Sequence, residues 1–251
     1  METHAQDLHK APGHGWKHYL FEFFMLFLAV FCGFLAEYQL EHLLEGQREK
    51  EYIRSMIEDV EADTLNLTIV HAQYLEHEKV LDTVIDGFDE ATRSYNAGWA
   101  NNFLKSYRGG YPDFYYTDRT IQQLKNSGGM RLIKNKAAAE GIVQYDTKMR
   151  DLEFEETFVS AEQGNYINEV LKLWSVKNMY KDAGVHSYAN NKDMKSMNNY
   201  WLSKNPVDYE HLFNRLAEYN EALVRHGKDF LVAKEKAKEL ISVLKKEYHI
   251  D

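Results

Sequence analysis

The chain has 251 residues, 39 acidic against 30 basic, for a formal charge of −9, a balance that argues against a general basic surface for nucleic acid. Its single cysteine, Cys32, excludes an intrachain disulfide and a cysteine-ligated zinc. Only three prolines interrupt long apolar runs of period 3.6, which predicts an all-α protein with enough chain to bury a sizeable core.

Residues 1–15 hold His4, His9 and His14 among Pro12, Gly13 and Gly15 and show no apolar period, so they read as a flexible tail. Five-residue spacing in such a segment is a poor ligand geometry, and the histidines are not taken as a metal site.

From Tyr19 to Ala36 the chain is apolar apart from Glu22. That is about 18 residues, close to the lower limit for crossing roughly 30 Å of hydrocarbon. Trp16 and Tyr19 stand where an interfacial aromatic belt belongs. Residues 16–40 are therefore expected to be a transmembrane anchor. A cleaved signal peptide is the competing reading, but no small-x-small site follows the apolar core, and the helical pattern runs on past Ala36. Lys10 and Lys17 precede the span, whereas Glu37, Glu41, Glu45, Glu49 and Glu51 outnumber Arg48 and Lys50 after it. The positive-inside rule then puts the N-terminus in the cytoplasm and residues 37–251 in the periplasm of a Gram-negative host, with the span in the inner membrane.

Within the span, Glu22, Leu26, Ala29, Gly33 and Ala36 recur at steps of four and three, so they share one helix face. Ala29 and Gly33 form a small-x-x-x-small pair, which makes this face the candidate for association in lipid. Glu22 lies about one turn from the interface, where it reaches headgroup water, Lys17 or His18; the sharper reading is an ion- or proton-handling carboxylate.

The helical pattern continues from Glu37 to about Asp89 without a proline. One helix of some 70 residues would reach roughly 105 Å. Ile53, Val60, Leu67, Tyr74, Leu81 and Phe88 fall at strict sevens, interleaved with Ile57, Thr64, His71, Glu78 and Ile85. Such a seam predicts lengthwise packing. Thr64, His71 and Glu78 are expected as polar core positions that fix register or oligomeric state. His71 has no carboxylate at i+3 or i+4 and the chain contains no Glu-x-x-His pair, which excludes a di-iron bundle of the usual pattern.

A short helix is expected near Trp99–Tyr107, followed by the turn-rich aromatic segment Arg108–Thr117, whose rings read as plugs under a loop rather than as a ligand pocket. Thr117 or Asp118 then caps a helix over Thr120–Lys125 that ends at Gly128-Gly129.

The run Thr120–Lys136, with Leu124-Lys-Asn-Ser-Gly128 and Leu132-Ile-Lys-Asn-Lys136 at its centre, resembles a segment of the DUF6090-like family, a group of Bacteroidota membrane proteins. The early span with Glu22 near its start and the long helix after it are similar to that family too; Glu37–Glu41 depart from its pattern. The resemblance implies a single-span helical architecture and no particular activity. Physically, Ser127, Gly128 and Gly129 read as a helix corner, with Asn135 capping the next helix. The phosphate-loop spacing is missing.

A helix over about 136–180 carries Tyr145, Met149, Leu152, Val159, Tyr166, Val170, Leu173 and Tyr180 on one stripe. Residues 181–206, with His186, Met194, Met197 and Trp201, read as a surface loop. Pro206 and Asp208 open a last helix whose seam runs through Leu212, Leu216, Tyr219, Leu223, His226, Phe230, Ala233, Ala237, Leu240 and Leu244.

The expected architecture is an N-terminal transmembrane helix continuing into an elongated antiparallel helical bundle over residues 41–251. No nucleophile-base pair, metal-ligand spacing or phosphate loop marks an enzyme, and no cofactor is implied. The leading expectation is a membrane-anchored scaffold or accessory subunit of an envelope complex, in contact with lipid, homo-oligomeric, and meeting other envelope proteins. The alternative is an oligomeric channel or ion-coupled subunit with Glu22 facing its axis.

Overall fold

A computed structural model of the chain describes residues 15–91, 96–109, 113–178 and 200–250. Among them the structure is all-α, without a strand. The order is α1 (Trp16–Asp86), α2 (Phe88–Ala91), α3 (Ala97–Arg108), α4 (Arg119–Asn126), a 3-10 turn (Gly129–Leu132), α5 (Lys136–Leu173) and α6 (Pro206–Tyr248). The chain divides into two units, Met1–Glu51 and Tyr52–Asp251. The tail histidines His4, His9 and His14, as well as Tyr180, His186, Met194 and Met197, lie outside the described residues.

α1 runs for 71 residues because no proline interrupts it. It stops at Gly87, where the chain passes tightly under an indole: a Cβ there would lie 2.6 Å from Trp99 Cδ1. In the first unit its side chains from Trp16 to Leu44 are exposed.

In the second unit the α1 row Ile53, Val60, Leu67, Tyr74, Leu81 and Phe88 is buried, as the heptad predicts. The partner row differs. Met56, Asp63, Val70, His77 and Val84 are the buried set, whereas Thr64, His71 and Glu78 are only half-buried. A row at sevens has a flank at +3 and another at +4, and spacing alone does not choose between them. The bundle takes the +3 flank, whose apolar members bury and whose two polar members find partners. Thr64 instead donates its hydroxyl to the Val60 carbonyl at 2.8 Å, a local bond that needs no partner helix.

The α5 stripe from Tyr145 to Leu173 and the whole α6 seam from Leu212 to Leu244 are buried. Partner pairs fix the directions. Glu61 meets Lys245, Tyr74 meets Phe230 and His77 meets Tyr219, so the second-unit part of α1 runs antiparallel to α6. Lys148 meets Asp229 and Tyr166 meets Tyr219, so α5 does too. α1 and α5 are then parallel to each other.

The helix ends carry their own signals. Asn135 accepts from the Ala138 N–H at 3.0 Å, and Asn205 caps α6 with Pro206 at its first position. α5 ends at Leu173, and Trp174 pairs with Trp201 through Leu202 N–H to Leu173 O and Ser175 N–H to Tyr200 O. Trp201 is therefore not a loop-surface residue. It packs at 5.0 Å on both Trp174 and Tyr209 and at 5.8 Å on Phe103.

The corner forms at Ser127-Gly128-Gly129. Ser127 closes α4, with its N–H on Gln123 O at 3.0 Å, Gly128 takes φ 67°, and buried Gly129 starts the 3-10 turn. Only a residue without a Cβ adopts that φ freely. Gly128→Ala is expected to lower the unfolding free energy by about 1 kcal/mol, read by denaturant melts. An unchanged midpoint would show that the corner does not need its left-handed residue.

Candidate functional site

Four features carry chemistry: the exposed apolar segment, a buried carboxylate cluster, two buried histidines and an aromatic recess.

In the single chain Glu22, Leu26, Ala29, Gly33 and Ala36 are all exposed. A Cβ added at Gly33 would meet nothing within 4 Å. The chain's own packing therefore places no demand for glycine at that position. Among the described residues one helix, α1, near the N-terminus, is long and apolar enough to cross a membrane by length and composition.

The carboxylate cluster lies in the second unit and was not singled out in the sequence. Asp59 accepts from the Arg119 guanidinium at 2.6 Å and from the Thr120 N–H at 3.0 Å and hydroxyl at 2.5 Å. One turn on, Asp63 accepts from the Thr117 N–H at 2.7 Å and the Tyr145 hydroxyl at 2.5 Å. Asp146, on α5, takes Lys125 at 2.5 Å and Arg150 at 2.9 Å. The three carboxylates are almost completely buried while Arg119 stays largely exposed. Burial raises the Asp63 carboxyl despite its hydrogen bonds, and the neighbouring Asp59 charge adds to the rise. Burial and the adjacent Asp63 together raise the Tyr145 phenol, and burial with the field of Asp146, Glu153 and Asp118 pushes Tyr116 up to about 12.

Asp59 and Asp63 stand on α1 and Asp146 on α5, with donors at the Thr117–Thr120 entry to α4 and on α4 itself. Each accepts from donors on another element, so the cluster works as a clasp for the α4 corner. Removing one partner of a buried charge leaves the other uncompensated, at a cost of about 3–5 kcal/mol. A signal was present in the sequence: Asp63 stands seven after Met56 and seven before Val70, an acid between two apolar members of its row.

His77 is buried and bonds through Nε2 to the Tyr219 hydroxyl at 2.9 Å. His226 is buried between the Tyr74 ring at 5.5 Å and the Phe230 ring at 4.9 Å, and neither of its ring nitrogens has a hydrogen-bond partner among the described residues. His71 takes no such place. The aromatic loop supplies Phe114 as a buried plug, 5.3 Å from Phe230, while Tyr115 stays exposed.

Among the described residues no group of three His, Cys, Asp or Glu side chains is arranged to hold a metal ion. The recess lies where α1 ends and α6 begins, walled by Phe88, Tyr209 and Phe213. No protein-family model matches the chain, and no curated protein or solved structure matches it.

The histidines give the bundle a pH dependence. Burial lowers His226 from 6.5 to about 4, with Asp229 opposing and Lys148 adding, and burial lowers His77 as well. A depressed histidine contributes stability that is present above its unfolded value and lost as pH falls through the folded one. Asp63 works the other way: its raised carboxyl contributes stability at low pH that is lost as pH rises through its folded value. Between pH 6.5 and 4 the His226 contribution is worth up to about 3 kcal/mol. Chemical denaturation across that window should therefore show a shallower acid slope for His226→Leu than for the wild type. Equal slopes would mean that His226 does not stay neutral in the core.

Proposed function

We propose that the chain is a non-enzymatic, membrane-anchored helical scaffold or accessory subunit of a bacterial envelope complex, assembling as a homo-oligomer. The observation that carries this reading is the exposure of the apolar side chains of α1 from Trp16 to Leu44. Burying each large one is favourable by about 1.5–3 kcal/mol, and soluble monomers rarely leave contiguous apolar patches above about 300–600 Å² open to water. Hydrocarbon is the solvent that suits such a surface, with residues 16–40 as the span, the N-terminus cytoplasmic and the bundle periplasmic across the inner membrane. The resemblance of Thr120–Lys136 to the DUF6090-like segment supports the same architecture.

The Glu22, Leu26, Ala29, Gly33 and Ala36 face is the proposed contact between copies. Small side chains let helix backbones approach in lipid, and Gly33 has open space around it. The rest of the chain supports a structural role: its buried carboxylates are paired as clasps.

The test is the mass of the full chain in nanodiscs, wild type beside Gly33→Leu and Glu22→Gln. A discrete oligomer that Gly33→Leu dissociates is expected. Monomers throughout would defeat self-assembly through this face and with it the channel alternative, in which Glu22 faces a shared axis. If the oligomer persists in Glu22→Gln, ion conductance of the two forms separates scaffold from channel: a scaffold conducts in neither.

A further inference from the structure

Two layers of the seam between α1 and α6 each set a histidine of one helix against a tyrosine of the other. Tyr74 of α1 stands ring to ring with His226 of α6 at 5.5 Å, and one turn along α1 His77 bonds through Nε2 to the Tyr219 hydroxyl of α6 at 2.9 Å. The layers differ in one respect. His77 has a partner, whereas neither ring nitrogen of buried His226 has one among the described residues. We propose that these layers form an acid-operated joint, in which a proton taken by His226 parts α6 from α1 while α1 stays fastened to α5.

The closed joint suits only an uncharged imidazole. His226 lies against the Tyr74 and Phe230 rings, Phe114 packs on Phe230 from the other side at 5.3 Å, and the next residue, buried Gly227, has no side chain to offer a bond. An imidazolium brings two N–H donors and a charge, and burying those without an acceptor costs far more than burying the neutral ring. The surrounding charges do not supply one. On α6, Asp229 is held by Lys148 of α5 at 2.9 Å, and Arg225 and Lys228 are exposed. From α1 comes the Tyr74 phenol, with half-buried His71 and Glu78 one turn to either side. From α5, Glu156 accepts instead from the Phe114 N–H at 3.0 Å.

The seam between α1 and α5 responds to acid in the opposite sense. There Asp63 accepts from the Tyr145 hydroxyl, and its raised carboxyl favours the closed form at low pH. Acid therefore loosens one side of α1 and not the other. Above pH 6.5 His226 is uncharged whether the joint is closed or open; as pH falls, the open form takes the proton first, because burial and Lys148 hold the closed ring down to about 4. Opening of such a segment is a sub-global event, separable from unfolding of the whole unit.

The test is amide hydrogen exchange of the full chain in nanodiscs at pH 7.5 and pH 5, corrected for intrinsic rates, and it does not depend on the proposed anchor. Protection of residues 219–230 is expected to fall by about 25-fold, the factor for a group that titrates at 6.5 when open and about 4 when closed. Peptides around Asp63 and Tyr145 should keep theirs. His226→Leu and His226→Gln, neither of which titrates, should lose most of the fall. Lys148→Met removes the cation that resists the proton and releases Asp229, so it should shrink the fall with His226 still in place. Three results would overturn the proposal: no acid-dependent loss at 219–230, an equal loss around Asp63 and Tyr145, or the wild-type loss in the folded variants.

Discussion

The second unit depends on burial of one row of side chains, at every seventh residue of α1 from Ile53 to Phe88. Each large apolar member contributes about 1.5–3 kcal/mol when removed from water, so the row matters greatly against a net domain stability of about 5–15 kcal/mol. α5 and α6 supply the opposite surface, and the direction of α6 follows from which of its residues meet that row. Apolar rows, however, tolerate sliding by a heptad. The polar members oppose such a slide, because Asp63 has to meet Tyr145 and His77 has to meet Tyr219. A slipped register would leave those groups buried without partners, at about 1–3 kcal/mol or more each. Energy thus comes from the apolar row, and uniqueness from its polar interruptions.

This division of labour explains what could be read from the residues and what could not. The apolar seams of α1 and α6, the Asn135 cap and the Gly128 corner follow from local rules, because periodicity, side-chain capping and positive φ are properties of neighbouring residues. The polar core was misplaced by one position. Thr64, His71 and Glu78 and the true pair Asp63 and His77 both repeat at sevens beside the same row, and the choice between flanks is made by Tyr145 and Tyr219, far away in the chain. The Asp59–Arg119 and Asp146–Lys125 ion pairs are likewise invisible locally, since Arg119 and Lys125 read as ordinary surface cations of α4. Trp201 sits in a run rich in Asn, Lys and Ser that predicts a loop, yet its ring completes a cluster built by Phe103, Trp174 and Tyr209 from three other stretches.

Function follows the same logic of satisfied and unsatisfied groups. In the second unit Asp59, Asp63 and Asp146 are clasped by donors on other elements and the rings interlock. Two features remain open. One is the apolar surface of α1 from Trp16 to Leu44, which the proposed anchor accounts for; the other is buried His226, whose ring nitrogens have no hydrogen-bond partner among the described residues.

Residues 16–40 are proposed to lie in hydrocarbon, and Cys32 offers the most direct test because it is the single cysteine and is exposed on α1. A nitroxide attached there in the wild-type chain, reconstituted into lipid, reports collisions with oxygen, which concentrates in the bilayer, and with a water-soluble nickel chelate, which does not enter it. Strong oxygen relaxation and little nickel relaxation are expected. Strong nickel relaxation would place Cys32 in water and contradict the anchor.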